Sequence, residues 1–230
     1  MIDTHCHFDM MPDPECYIRQ REKCGDIVIG MTNLPSYFEI GFHHISGYRH
    51  VRLALGFHPL LVDDHKTEWS KFLKNLNRTS YIGEIGLDFS KEGVMTKDAQ
   101  IQMFQKILSK LKGQKKILSV HSRKAEAEVL ALLKEYDIKN VIFHWYTGKT
   151  SLIPDIISHG YYFSVNEAMC TTTSGQKVIS LIPNDRILTE SDAPFNFKAN
   201  VLNTYNYLEK LDCSSTQIYE NFKRLVDRIR

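Results

Sequence analysis

The chain has 230 residues, with 29 basic and 27 acidic side chains, a formal charge of +2 and 43% hydrophobic residues. That length buries a sizeable core and suits one domain over 1–230, and the composition excludes a disordered or low-complexity chain. The balance of charge excludes a strongly basic nucleic-acid coat without excluding a nucleic-acid partner, and no apolar run is long enough to cross a bilayer.

Short β-rich apolar runs alternate with helical patterns along the chain. In order, strands are predicted over Ile2–His7, Asp26–Met31, Val51–His58, Tyr81–Glu84, Ile117–His121, Val141–His144, Tyr161–Val165 and Arg186–Ser191. A helical segment fits between each pair. Lys97–Leu111 is the clearest, with Ile101, Phe104, Leu108 and Leu111 on one face. The last helix starts near Ser214, with Gln217 placed for a capping box and Ile218, Phe222 and Leu225 as its apolar stripe. Eight strand–helix units predict an α/β chain closed as a single (β/α)8 barrel. A doubly wound open sheet has the same alternation, but no GxGxxG loop follows the first strand. The five cysteines are odd in number and form no CxxC pair. With no apolar leader at residue 1, a reducing, cytoplasmic setting is expected.

The strand ends carry the chemistry. Strand one ends in His5-Cys6-His7, strand three at His58, strand four at Glu84, strands five and six at His121 and His144, and strand eight runs to Asp192. Candidate metal ligands thus end six of the eight predicted strands, on the rim where (β/α)8 enzymes place their active sites. Alternation points His5 and His7 inward and Cys6 outward as a small buried hydrophobe. It also sets small residues, Ala54, Gly56 and Ser119, below His58 and His121. Imidazoles and carboxylates suit divalent transition metals best. A carboxylate midway in the ligand order, Glu84, can bridge two ions.

Six stretches in order, DTHCHFD (Asp3–Asp9), GFHP (Gly56–Pro59), GEIGLDF (Gly83–Phe89), HSRKA (His121–Ala125), HWYTG (His144–Gly148) and TESDAPF (Thr189–Phe195), give the chain its resemblance to a family. It resembles the TatD-like metal-dependent deoxyribonucleases among the amidohydrolase-type barrels, over nearly its whole length. The resemblance implies two divalent ions (Mg, Mn or Zn), with His5 and His7 on one and His121 and His144 on the other. Glu84 would bridge them, and Asp192 would sit on the first beside the reactive water. It implies hydrolysis of DNA, as single strands or at ends, often by 3′→5′ exonucleases. The short chain also resembles the TatD-like component of Qat anti-phage defence systems, which implies protein partners in an antiviral complex. Departures from the family pattern fall at Trp145-Tyr146, at Ser191 and Ala193 around Asp192, and after Phe195, where an Arg-containing segment is usual.

The expected catalytic residues are Asp192, as proton acceptor, and Glu84. His58, Arg123 and Tyr146 are expected to touch substrate, with Thr147 and Gly148 on the same rim and Tyr146 stacking on a base. Asp88 and Glu190 are candidates for orienting imidazoles. Lys124, Lys149 and Lys198 complete the basic residues expected on the rim. His43, His44, His50, His65 and His159 read as structural or solvated. Lys110, Lys112, Lys115 and Lys116 precede strand five and read as a solvated face opposite the site. Two other functions fit the same residues: a hydrolase of a small ester, amide or phosphoester, and a subunit active only with its partners.

Overall fold

The computed structural model describes residues 1–195 and 201–230, with side chains described except at 63–66. Lys198 and the His65 side chain therefore lie outside the described residues. In chain order the elements are β1 (Ile2–Cys6), α1 (Pro14–Cys24), β2 (Ile27–Gly30), α2 (Pro35–Ile45), β3 (Val51–Leu53), α3 (His65–Asn75), β4 (Tyr81–Gly86), α4 (Lys97–Leu111), β5 (Ile117–His121), α5 (Glu126–Glu135), β6 (Val141–His144), α6 (Ile153–Ser158), β7 (Tyr162–Val165), α7 (Glu167–Thr171), α8 (Thr173–Ile179), β8 (Ile187–Thr189), α9 (Val201–Glu209) and α10 (Ser215–Asp227). Short 3₁₀ turns join several of them.

All strand pairs are parallel, in the order β1-β2-β3 and β4-β5-β6-β7-β8. Two seams close them into a barrel. At the first, Leu55 pairs with Ile82, the Leu55 amide donating to the Tyr81 carbonyl and the Gly83 amide to the Leu55 carbonyl, both at 3.0 Å. At the second, the Asp192 amide donates to the His5 carbonyl at 3.0 Å and the His7 amide to the Ala193 carbonyl at 2.7 Å. The fold is the expected (β/α)8 barrel. One core lies between strands and helices, and a second fills the barrel with Ile2, Ile29, Met31, Ala54, Ile142 and Leu188. Phe222 and Leu225 from α10 plug the lower end of that second core. The Ser214 hydroxyl caps this helix by accepting from the Gln217 amide at 3.2 Å.

The third strand is shorter than predicted because the chain leaves the ladder at Gly56. A Cβ there would lie 1.5 Å from the Thr32 carbonyl oxygen and 2.8 Å from the Glu84 amide nitrogen. Only glycine allows that approach. Gly56→Ala is expected to cost roughly 1–3 kcal/mol or more by overpacking, read as a lower midpoint in thermal unfolding; an unchanged midpoint would contradict the packing described. β8 is also shorter, since residues 184–186 form a 3₁₀ turn. Simple alternation breaks in β1 and β4, whose registers shift between Asp3 and Cys6 and between Ile82 and Ile85. These irregularities turn Thr4 and His5 to the barrel interior in succession, and likewise Gly83 and Glu84.

Candidate metal centre

The C-terminal strand ends meet at the floor of a cavity of about 690 Å³. Glu84 stands at the centre and is 3% exposed. Its Oε2 lies 3.6 Å from His5 Nε2 and 3.3 Å from His7 Nε2, which are 3.2 Å from each other. Its Oε1 lies 2.6 Å from His121 Nδ1, 2.9 Å from His144 Nε2 and 3.6 Å from His58 Nε2. Each carboxylate oxygen thus faces a separate pair of imidazoles, with His58 beside the second. Asp192 Oδ1 joins the first group, 3.7 Å from His5 Nε2 and 3.8 Å from His7 Nε2.

This donor set fits divalent cations. Two imidazole nitrogens 3.2 Å apart share at most one proton, yet both also face a carboxylate oxygen. A cation satisfies all three lone pairs at once, and nitrogen with carboxylate oxygen is a transition-metal donor set. His5, His7 and Glu84, then His58, Glu84 and His121, form compact groups of such atoms, and so do His5, His144 and Asp192. Cys6 adds no sulfur, because its thiol turns outward to the Tyr17 hydroxyl at 3.6 Å.

Buried polar partners fix the rings. Asp88 Oδ2 holds His121 Nε2 at 2.8 Å, and its Oδ1 accepts from the Ser90 amide at 2.8 Å. Glu190 Oε1 stands 3.7 Å from His144 Nδ1 and is itself held by Asn166 Nδ2 at 2.9 Å, while the Ser164 hydroxyl binds its other oxygen. Ser119 Oγ lies 2.8 Å from His5 Nδ1, which leaves Nε2 directed at the centre. Ser119 was expected only to leave space; its role was visible as an inward polar residue on β5 but needed the neighbouring strand to be read. Ser119→Ala should weaken divalent-metal affinity about 10–100-fold, measured by calorimetric titration with Mn²⁺; unchanged affinity would remove Ser119 from this role.

The charges are set by burial working against neighbours. Burial disfavours the Glu84 carboxylate, but His58, His144 and His121 outweigh it and hold the group well below the usual range. Burial likewise disfavours the His144 and His121 cations, and Glu84 outweighs it, raising His144 well above the usual value and His121 also upward. His5 moves the other way, well down, because burial is reinforced by the His144 charge stacked on it with ring centroids 3.9 Å apart. Burial pushes Asp192 up to about 7, with His144 opposing. Asp88 falls to about 2: burial opposes this, but the bonds from His121 and Ser90 prevail.

Two turns aim the rim residues. Asp192 has a φ of 50°, a left-handed conformation that aspartate tolerates. Trp145 has a φ of 36°, unusual for so bulky a residue. It directs Trp145 into the cavity and Tyr146 away from it. The expectation that Tyr146 touches substrate is therefore corrected: the ring packs on Phe143 and Phe163, and its hydroxyl donates to the Lys149 carbonyl at 2.7 Å. Trp145 lines the cavity instead, together with Phe195, whose ring sits 5.0 Å from that of His7. His58, Arg123 and Thr147 do line the cavity. Arg123 pairs with Glu92 at 3.3 Å rather than with a carboxylate on the following helix.

A family model described as TatD related DNase matches residues 2–226. The chain belongs to this family. A relative from Bacillus subtilis, the uncharacterized metal-dependent hydrolase YabD, is 28% identical, covering 85% of this chain and 80% of its own. A putative deoxyribonuclease of Mus musculus, TATDN3, is 26% identical, covering 84% and 72%. In three dimensions the crystal structure of YJJV, a TatD homolog from Escherichia coli K12, matches with a TM-score of 0.83 at 21% identity, covering 100% of this chain and 97% of that one. This TatD chain is therefore a metal-dependent hydrolase on a (β/α)8 barrel, with buried His, Asp and Glu clusters able to bind metal. Among the described residues, no helix is long and apolar enough to cross a membrane.

Proposed function

We propose that this TatD protein hydrolyses DNA phosphodiester bonds as an exonuclease acting on single strands or ends, with two divalent ions. One observation carries the reading: Glu84 presents its two oxygens to two different histidine pairs. His5 and His7 would hold one ion and His121 and His144 the other, with Glu84 and Asp192 as the carboxylate ligands. When bound, such ions supply Lewis acidity that makes water nucleophilic near neutral pH and offsets charge on the phosphoryl group.

The protein's own groups do the rest. Asp192 orients the attacking water and accepts its proton. His58 Nδ1 accepts from the Leu60 amide at 3.2 Å, so the ring proton resides on Nε2 and is available to a phosphate oxygen. Arg123 exchanges Glu92 for a phosphate, and Trp145 and Phe195 offer flat apolar faces to bases. The cavity volume falls within the range of small-ligand pockets.

A second reading, a small phosphoester or other ester as substrate, draws support from the walls of the cavity. Met10, Leu60, Leu61, Trp145 and Phe195 line it, and Arg123 is its sole Lys or Arg among the described residues. End-labelled single- and double-stranded DNA and bis(p-nitrophenyl) phosphate, each with Mg²⁺, Mn²⁺ and Zn²⁺, separate the two. The DNA reading expects stepwise loss from an end that stops on chelation. Turnover of the small ester with intact DNA would overturn it.

A further inference from the structure

Among the described residues, Arg123 is the sole Lys or Arg lining the catalytic cavity, and it already meets Glu92. The opposite end of the barrel differs. A cleft of about 370 Å³ opens there between the segments preceding β5 and β6 and the end of α10. Lys115, Lys116, Lys139 and Arg228 line it against one carboxylate, Asp137. The lysines before β5 do lie opposite the metal centre, as their position in the sequence implied. What turns them into part of a concavity is Lys139 and Arg228, which come from distant parts of the chain.

Neighbouring groups extend the charge. Lys115 Nζ donates to the Arg230 carbonyl at 2.8 Å, bringing that residue to the same edge. The Arg228 guanidinium stands 5.9 Å from the Tyr162 ring centre, and Arg186 approaches the same ring at 5.4 Å. The carboxylates nearby are already engaged: Asp137 with Lys139, Asp185 with Arg186 and Asp227 with Arg230. Lys116 is half-buried and held by the Thr79 carbonyl at 2.8 Å, whereas Lys115, Lys139 and Arg228 are exposed, Lys115 while donating to the Arg230 carbonyl and Lys139 while meeting Asp137.

Asn140 supplies an independent observation. It lines the cleft, is 6% exposed, and its Oδ1 is buried without a hydrogen-bond partner among the described residues. A buried acceptor without a partner in the chain is one that an ordered water or a ligand donor at the cleft can satisfy. A nucleotide strand matches both features, with phosphates for the cations and a base amino group or sugar hydroxyl for Asn140.

We propose that this cleft is a second nucleic-acid site, which holds the sugar–phosphate backbone of a single strand on the face opposite the metal centre. The identity of the strand rests on the DNA reading above. A cleft of this size takes about one nucleotide unit rather than a duplex. A strand engaging both ends must run past the side of the barrel, so long strands gain from the cleft and dinucleotides do not.

The test is the triple variant Lys115→Gln, Lys139→Gln, Arg228→Gln beside the parent, with equal thermal midpoints as the folding control. Binding of a long phosphorothioate single strand, which resists cleavage, is followed by fluorescence anisotropy across a salt series. Dinucleotide cleavage is followed separately. The expected result is at least a tenfold loss of long-strand affinity and a salt slope shallower by about 2, from roughly 0.7 per phosphate contact, with dinucleotide cleavage unchanged. Equal affinity and slope in parent and variant would overturn the cleft while leaving the catalytic reading in place, and so would a parent that cleaves dinucleotides but does not bind the strand. Loss of binding in the variant, with no cleavage of DNA by either protein, would support the cleft and sink the catalytic reading.

Discussion

Replacing Glu84 by alanine is expected to abolish metal-dependent DNA cleavage and to deplete bound metal. Among the described residues, this carboxylate makes the nearest contacts with both histidine pairs, at 2.6–3.6 Å to five imidazoles. Without it, His5 and His7 have no shared carboxylate with His121 and His144, and two sites become separate and weaker. The fall in kcat/KM should exceed the roughly 10–100-fold that loss of a ligand's supporting partner costs. Metal content per chain, measured by mass spectrometry after gel filtration, should fall with it. Near-UV circular dichroism guards against misfolding, because the substitution removes no core side chain and no backbone hydrogen bond of the seams. A folded Glu84→Ala protein with parental activity would end the proposed mechanism.

Asp192→Asn is expected to separate chemistry from metal binding. Asparagine keeps the shape and tolerates the left-handed conformation that Asp192 adopts, so the turn after β8 should survive. It cannot accept the proton of the attacking water. Loss of a general base costs about 10²–10⁴ in rate, so kcat should fall on that scale while bound metal, for which His5, His7, Glu84, His121 and His144 are the proposed ligands, largely remains. Parallel loss of metal and rate would make Asp192 chiefly a ligand. Rates equal to the parent would exclude it as the base.

Much of this site was legible in the sequence because two simple rules apply to it. Ligand-type residues at successive strand ends point to one rim in a closed parallel barrel, and His5, His58, Glu84, His121, His144 and Asp192 obey that rule. Alternation then separates His5 and His7 from Cys6. Both rules stop where the backbone is irregular. The register shifts in β1 and β4 turn consecutive residues inward, and a shift of one position carries no periodic signature. Beyond the end of β6, alternation has no meaning, and the backbone angle at Trp145 decides which aromatic enters the cavity; Tyr146 was assigned to the wrong side for that reason. At Gly56 the chain leaves the β3 ladder beside the Thr32 carbonyl, which belongs to the loop after β2. The Ser119–His5 contact likewise joins β5 to β1, whose proximity depends on closure, while the Arg123–Glu92 pair joins the loops after the neighbouring strands β4 and β5.

The central claim is that Glu84 stands between two ions. Anomalous diffraction from crystals soaked in Mn²⁺ tests it most directly. The account predicts two manganese peaks roughly 3.5–4 Å apart, one beside His5 and His7 and one beside His121 and His144, with Glu84 reaching both. A single peak, or a pair lying away from Glu84, would contradict it.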